Sequence, residues 1–157
     1  MRRQDRWRRS REKSHRLPPQ VYRGPVAVAF TICARGQTGA LVAPRVVNTL
    51  VQMLRDALKT KRCRALVYCF MPDHLHVIVQ GLAQDSDALA ALIAFKQRSG
   101  RWFREQGLNL AWQKDFYDHV IRPWEDISEH VTYIRHNPVR AGLVERAADW
   151  PFTGSIP

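Results

Sequence analysis

The stretch that most constrains the fold is a pair of histidines at the head of an apolar, β-branched run. His74 and His76 flank Leu75, and Val77 and Val79 follow in alternation. Side chains alternate between the two faces of a strand, so a strand here places both imidazoles on one face and the apolar side chains on the other, in a core. Two imidazoles on one face can bind a divalent metal ion. The pair alone is weak evidence, because an isolated His-x-His is more often structural than metal-binding.

Length and charge indicate one basic domain. The chain has 157 residues, enough to bury a full core, and a net charge of +11 with a pI of about 10.4. A positive charge of this size attracts polyanions, and nucleic acid is a better candidate partner than an anionic membrane. Charge is concentrated in residues 1–25, which contain nine Lys or Arg and two acids. We expect a basic, flexible arm over residues 1–24, either a phosphate-binding segment or a solvated tail, and a folded domain over residues 25–157.

Cysteines and hydropathy exclude two classes of protein. Cys33, Cys63 and Cys69 are odd in number and lack a Cys-x-x-Cys spacing, which argues against a disulfide framework and against a cysteine-rich zinc module. No apolar run approaches the roughly 18 residues of a membrane span, and the N-terminus has no apolar signal core. We therefore expect a cytoplasmic protein with no membrane partner.

The periodicity of the apolar residues predicts an α+β domain. Strands are predicted over residues 26–33, 65–70, 75–80 and 116–121, and helices from 44 to about 61, from 85 or 86 to about 106, and from 123 to 137. The order β-α-β-β-α-β-α matches a ferredoxin-like split βαβ fold, with an antiparallel sheet, helices on one face and an additional C-terminal helix. His74 and His76 would lie on the open face of that sheet.

The second predicted helix is basic. It contains Lys96, Arg98, Arg101 and Arg104. Either this side of the helix faces nucleic acid, or it is an ordinary solvated face, and the basic character of the whole chain favours the first. Gly100 weakens the helix by about 1 kcal/mol relative to alanine and is a candidate break point.

The last predicted helix offers a nucleophile next to a ligand. Its apolar residues share one stripe toward the core: Ile127, Val131 and Ile134. His130, Tyr133 and Asn137 form a second stripe, with Tyr133 and Asn137 one turn apart and Asn137 as the final helical residue before Pro138. A phenol can attack a phosphodiester if a metal ion assists, and two imidazoles and one amide are neutral ligands. The alternative is a boundary tyrosine and a helix C-cap.

These residues lie in words that resemble the REP-associated tyrosine transposases, within the single-tyrosine HUH endonuclease superfamily. The words are YCFMPDHLHVIV at 68–79, WQ at 112–113 with FYDHVIR at 116–122, YIRHNPVRAGLV at 133–144, and a closing DWPF at 149–152. Three words in the right order are much more specific than a lone His-x-His. The resemblance covers roughly residues 25–153.

The resemblance implies a chemistry and a set of roles. Tyr133 falls on the nucleophile position, and His74, His76 and Asn137 fall on the ligand positions for Mg²⁺ or Mn²⁺. The implied substrate is single-stranded DNA with a hairpin, such as a repetitive extragenic palindrome. Cleavage would leave Tyr133 on the 5′-phosphate, and a strand's 3′-hydroxyl would reverse the step during DNA transposition. Such a protein would be associated with the nucleoid.

Other residues of these words have weaker assignments. Arg122 and Arg140 are candidate DNA contacts, and His119 and His130 are candidate supporting residues, with a hydrogen-bonded structural role at least as frequent for His119. Tyr117 is a competing nucleophile, but it lacks a ligand partner four residues later.

Two other functions fit parts of the pattern. One is a non-catalytic nucleic-acid-binding protein on the same fold. The other is a structural zinc protein that uses His74, His76 and Cys69. The presence of all four residues of the proposed site favours the transposase. The sequence does not distinguish a monomer from a homodimer and does not identify the hairpin.

Overall fold

A computed structural model describes residues 16–36 and 38–157. Within them lie six strands: β1 (Ala27–Gly36), β2 (Cys63–Phe70), β3 (His74–Gly81), β4 (Leu110–Trp112), β5 (Tyr117–Ile121) and β6 (Thr153–Ile156). The α-helices of the same residues are α1 (Pro44–Thr60), α2 (Ala88–Glu105), α3 (Ile127–Arg135) and α4 (Asn137–Arg140). Short 3-10 turns cover Pro19–Tyr22, Thr38–Val42 and Ala147–Asp149. Most of the predicted basic arm, residues 1–15, lies outside the described residues.

The strands form one antiparallel sheet. Its order is β4-β1-β3-β2-β6, and β5 also pairs with β1. The beginning of β1 pairs with β5, from Ala27 opposite Ile121 to Thr31 opposite Tyr117, whereas its end pairs with β4. The predicted α+β class, the antiparallel sheet and the hairpin of β2 and β3 are confirmed. The predicted order lacked β4 and β6, which are too short to show an apolar period.

The two faces of the sheet carry two separate cores. Helices α1 and α2 cover one face, where Leu75, Val77 and Val79 are fully buried. Helix α3 covers part of the other face, where a smaller cluster contains Ala27, Val67, Cys69, Met71, Ile78, Ile121 and Ile134. His74 and His76 alternate with Leu75 and Val77 along β3, so the sheet presents them on the same face as α3.

Helix α2 begins later than predicted and does not break. Asp87 is its N-cap and accepts a hydrogen bond from the amide of Ala90, in place of the predicted Asp85 or Ser86. The Ser86 hydroxyl instead accepts from the amides of the preceding turn and donates to Arg62 O. Gly100 lies inside the continuous helix because the packing of α2 on the sheet outweighs its low helix propensity.

The last predicted helix is two helices. Helix α3 begins at Ile127 after an Asp126 N-cap, not at Pro123. It ends at Arg135, and Asn137 is the first residue of α4 instead of the last residue of α3. Pro138 explains the break, because it lacks the amide hydrogen that would continue α3, while its fixed φ suits the first turn of a new helix.

The described segment before β1 packs on the domain. Tyr22 is fully buried and its hydroxyl donates to Asp118 Oδ2 at 2.9 Å. Arg16 lies over the ring of Phe116, at 4.1 Å from the centroid. Among the described residues, no helix is both long and apolar enough to span a lipid bilayer.

Candidate active site

Strand β3 brings the two predicted histidines together on one face. The Nε2 atoms of His74 and His76 are 3.1 Å apart, and the rings meet edge to face with centroids 4.6 Å apart. In the sheet, His76 stands between Thr31 of β1 and Cys69 of β2. The predicted common face is confirmed, and both rings direct the same nitrogen to one point.

Hydrogen bonds at the other ring nitrogen orient both imidazoles. His74 Nδ1 lies 2.6 Å from Asp73 Oδ1, and His76 Nδ1 lies 2.8 Å from Thr31 Oγ1. Asp73 can only accept as a carboxylate, so Nδ1 of His74 carries a proton, and in the neutral form of the ring Nε2 presents a lone pair. When His76 likewise donates from Nδ1 to the Thr31 hydroxyl, its Nε2 also presents a lone pair. This is the outer-shell arrangement found at metal-binding histidines.

Burial keeps His76 neutral. Burial is the main cause that lowers the pKa of His76 to about 3, and the positive charges of His74 and Arg140 lower it further, against the opposing charge of Asp73. At neutral pH the imidazole is therefore uncharged, and when its single proton is on Nδ1, toward Thr31, the nitrogen that faces His74 is unprotonated. A neutral imidazole is the form that binds metal ions.

Asn137 supplies the third polar group. Its side-chain Nδ2 lies 3.3 Å from His74 Nε2, and it is half-buried at the start of α4. The amide rotated by 180° presents its oxygen at the same place. When both rings are neutral and carry their protons on Nδ1, two Nε2 lone pairs face each other at 3.1 Å, and a cation between them would relieve their repulsion. The donor set of two imidazoles and one amide oxygen therefore fits a divalent cation, and it suits Mn²⁺ better than Mg²⁺, which prefers oxygen ligands.

Tyr133 lines the same cleft as His74, His76 and Asn137. The ring is half-buried on α3, and the guanidinium of Arg140 lies over it at 3.7 Å from the ring centroid. Arg140 also donates a hydrogen bond to the Tyr133 carbonyl oxygen. The cleft has a volume of about 940 Å³, and its polar and charged lining includes Thr31, Asp73, His74, His76, Tyr117, Asp118, His119, His130, Tyr133, Asn137 and Arg140.

The structure separates the predicted DNA-contacting residues into two groups. Arg140 lines the cleft, and Arg122 lies near it, where its amide donates to Glu125. The basic residues of α2 stand on the helix that covers the opposite face of the sheet. Arg98 pairs there with Asp56, and Lys96 donates to Lys114 O, while Arg101 and Arg104 are exposed. Their role as DNA contacts stays a prediction, on a surface distinct from the cleft.

The structure treats the competing nucleophile Tyr117 and the alternative zinc ligand Cys69 differently. Tyr117 lines the cleft and is exposed, so it remains a chemically accessible phenol. Cys69 is buried, and its sulfur accepts a hydrogen bond from Thr153. Across residues 16–36 and 38–157, His74, His76 and Cys69 do not form a set with ligand atoms within 4.8 Å of one another. This geometry disfavours the zinc alternative.

Sequence reasoning missed three residues of the cleft and its margin: Thr31, Asp73 and Glu125. Asp73 precedes His74 directly, and adjacency to a ligand histidine is a usable signal. Thr31 becomes visible only through the register of β1 and β3. Glu125 lies in the turn before α3, where no period marks it.

Comparison with known proteins shows the family of the chain. The sequence model of the family described as "Transposase IS200 like" matches residues 26–136. The REP-associated tyrosine transposase of Escherichia coli K12 is 34% identical over 128 residues, which are 79% of this chain and 73% of that protein. A solved structure of a REP-associated tyrosine transposase bound to a REP hairpin superposes with a TM-score of 0.65 and 28% identity, covering 88% of this chain and 80% of that one. The chain therefore belongs to the IS200-like transposase family and, within it, to the REP-associated tyrosine transposases.

Proposed function

We propose that this chain is a metal-dependent, single-strand-specific DNA endonuclease and strand transferase that acts on hairpin-bearing DNA through Tyr133. The observation that carries the proposal is the convergence of His74 Nε2, His76 Nε2 and the Asn137 amide in the cleft that Tyr133 lines. A nucleophile and a neutral ligand set in one cleft are what this chemistry requires.

The substrate follows from charge and from the relatives. The chain has a net charge of +11, which attracts a polyanion, and Arg140 places one of these charges beside Tyr133. The solved relative carries a REP hairpin, so a similar palindromic hairpin with a single-stranded flank is the proposed substrate. The alternative is a non-catalytic protein that binds the same DNA.

The reaction is a transesterification. Tyr133 Oη loses its proton and attacks the scissile phosphorus, the bond from phosphorus to the 3′ oxygen breaks, and that oxygen takes up a proton. The product strand is joined through its 5′-phosphate to Tyr133, and attack by another 3′-hydroxyl restores a phosphodiester and the free phenol. No nucleotide cofactor is consumed, because each step exchanges one phosphate ester for another.

The chain's own residues position this step. Arg140 holds the ring and the backbone of Tyr133, and it lines the cleft, where its charge would attract a phosphate. Asp73 and Thr31 orient the two imidazoles, and α4 presents Asn137. A Mg²⁺ or Mn²⁺ ion bound by His74, His76 and Asn137 would supply positive charge to stabilise the phosphate as charge builds in the transition state.

A covalent-adduct assay tests the proposal. The protein is incubated with Mn²⁺ and end-labelled single-stranded DNA that contains a hairpin, and adducts are resolved on denaturing gels. We expect a labelled protein with the native chain, none with Tyr133→Phe, and an undiminished signal with the matched control Tyr117→Phe. An adduct that survives Tyr133→Phe and disappears in Tyr117→Phe would assign the nucleophile to Tyr117. Salt-sensitive DNA binding without any adduct would establish the non-catalytic alternative.

A further inference from the structure

Three side chains at the edge of the cleft converge outside the His74–His76 pair. His119 on β5, Glu125 in the following turn and His130 on α3 place one ligand atom each within 4.8 Å of the others. All three are half-buried, and the His130 side chain is only 14% exposed. The cluster joins the sheet to the first turn of the helix that carries Tyr133.

One carboxylate organises the cluster. Glu125 Oε1 lies 2.7 Å from His119 Nε2 and 3.2 Å from His130 Nε2, while Oε2 accepts from the Arg122 amide at 2.6 Å. Burial opposes ionisation of Glu125, but the hydrogen bonds from the Arg122 amide and from His119 outweigh it and lower the pKa of the carboxyl. At neutral pH the cluster therefore contains an oriented carboxylate between two imidazole nitrogens.

We propose that His119, Glu125 and His130 form a second metal site, which binds a divalent transition-metal ion such as Zn²⁺. Two imidazoles and one carboxylate are a donor set that Zn²⁺ accepts, with bonds of about 2.0–2.2 Å and an open position for water. Ligand atoms around such an ion are separated by roughly 3–3.5 Å. The 3.2 Å contact falls within that spacing, whereas the 2.7 Å contact is a hydrogen bond that would lengthen by a few tenths of an ångström when an ion binds. The Arg122 amide orients the carboxylate as an outer-shell partner does.

The second site is distinct from the first. Strand β1 lies between them, with Thr31 opposite His76 on one side and Ala29 opposite His119 on the other. Two strand spacings and two residues along the strand separate the Cα atoms of His76 and His119 by roughly 12 Å. The Nε2 atom of His76 faces His74, whereas the Nε2 atom of His119 faces Glu125, so the two ligand sets are separate and full occupancy requires two ions per chain.

The second ion would fix the tyrosine helix. Helix α3 has nine residues and contributes only Ile134 to the fully buried part of the core beneath it. The cluster adds a polar attachment at its first turn, and His130 stands one turn before Tyr133. An ion bound by His119 on β5 and by His130 on α3 would therefore hold the Tyr133 phenol in place, and this ion would not contact the DNA. The imidazole nitrogens would exchange their hydrogen bonds with Glu125 for bonds to the ion. A charged imidazole would release its Nε2 proton to solvent, and a neutral imidazole protonated on Nε2 would bind as the tautomer that carries the proton on Nδ1.

Cobalt(II) absorption tests the site independently of DNA cleavage. The full-length, tag-free protein with His74→Ala and His76→Ala is titrated with Co²⁺, and the visible bands of bound Co²⁺ are recorded with the stoichiometry. We expect one equivalent in this background, two in the native chain, and none when Glu125→Gln or His119→Asn is added to the background. His136→Ala is the matched control, since that exposed histidine lies outside the cluster and its Nδ1 hydrogen-bonds to Thr132 O, and it should leave the background titration unchanged.

Thermal unfolding closes the test. Co²⁺ should raise the melting temperature of the His74→Ala/His76→Ala background, and not that of the background with His119→Asn, with circular dichroism confirming that each variant folds. If the background binds no Co²⁺, or loses its equivalent with His136→Ala as readily as with Glu125→Gln, the second site is refuted. A failed covalent-adduct assay would leave these titrations unaffected, so the two proposals are judged separately.

Discussion

The guanidinium carbon of Arg140 lies 3.7 Å from the centroid of the Tyr133 ring, and the same side chain donates to the Tyr133 carbonyl oxygen. Arg140 and Asn137 are the last and first residues of α4. A single helical turn thus supplies both a proposed metal ligand and the cation that orients the proposed nucleophile. Cation–π contacts contribute from about 0.5 to 2 kcal/mol, depending on how dry the site is.

Replacing Arg140 should slow the reaction without unfolding the protein. We expect Arg140→Gln to reduce the single-turnover rate of adduct formation by roughly 5- to 30-fold, since about 1–2 kcal/mol of positioning and charge is lost. Arg140→Lys keeps the charge and should recover part of that loss. Arg146→Gln is the control, because Arg146 is exposed and pairs with Asp149. Equal rates for Arg140→Gln and Arg146→Gln would contradict this role.

Thr31 should tune metal affinity through His76. Thr31→Val removes the hydroxyl that orients the imidazole, and loss of such outer-shell partners typically weakens metal binding by about 10- to 100-fold. We expect the Mn²⁺ concentration for half-maximal adduct formation to rise accordingly, while the rate at saturating Mn²⁺ changes little. Thr49→Val makes the same substitution on α1, away from the cleft, and should leave that concentration unchanged.

Tyr22 should make stability fall at alkaline pH. Burial, followed by the hydrogen bond to Asp118, raises the pKa of Tyr22 to about 12. In the unfolded chain the phenol ionises near pH 10, so deprotonation favours unfolding, and stability present below pH 10 is lost between about pH 10 and 12. Two pKa units correspond to about 2.7 kcal/mol at most.

Urea unfolding at pH 9 and at pH 11.5 measures this effect. The loss of unfolding free energy between the two pH values should be smaller in Tyr22→Phe than in the native chain. Tyr117→Phe removes an exposed phenol and should retain the native difference. If both variants show the same pH dependence, the buried hydrogen bond to Asp118 does not cause it.

Ile134 should anchor the tyrosine helix. It is the buried residue of α3, and truncation to alanine should destabilise the protein by about 2–5 kcal/mol, the range for buried isoleucines. Ile93→Ala makes the same truncation on α2 at an exposed position and should cost far less. Chemical denaturation of the two variants compares them. Equal losses would mean that α3 does not depend on this contact.

Strand periodicity was sufficient to place the two histidines, because alternation on β3 depends on local backbone geometry alone. Helical spacing predicted that Tyr133 and Asn137 lie near each other on one helix. In the structure Asn137 instead begins a new helix after the break caused by Pro138. A continuous helix and a helix broken at Pro138 both place Asn137 at the cleft that Tyr133 lines. The proximity of these side chains was therefore more predictable than the backbone that carries them.

The register of the strands and the packing of the helices could not be predicted from local sequence patterns. Thr31 meets His76 only because β1 lies next to β3, and Glu125 meets His119 and His130 only because α3 folds back on β5. The positive charges of α2 suggested a DNA-facing helix, but charge does not reveal which face of the sheet a helix covers. Long-range pairing decides each of these contacts, and a local pattern of residue types does not contain it.

His136 links the two helices that carry the two halves of the candidate site. Tyr133 lies on α3 and Asn137 on α4, so the angle between the phenol and the amide depends on the dihedral angles of this single linking residue. One residue inserted there would change that angle. The domain would still fold around its unchanged sheet, yet the phenol proposed as the nucleophile would no longer be aligned with the amide proposed as a metal ligand.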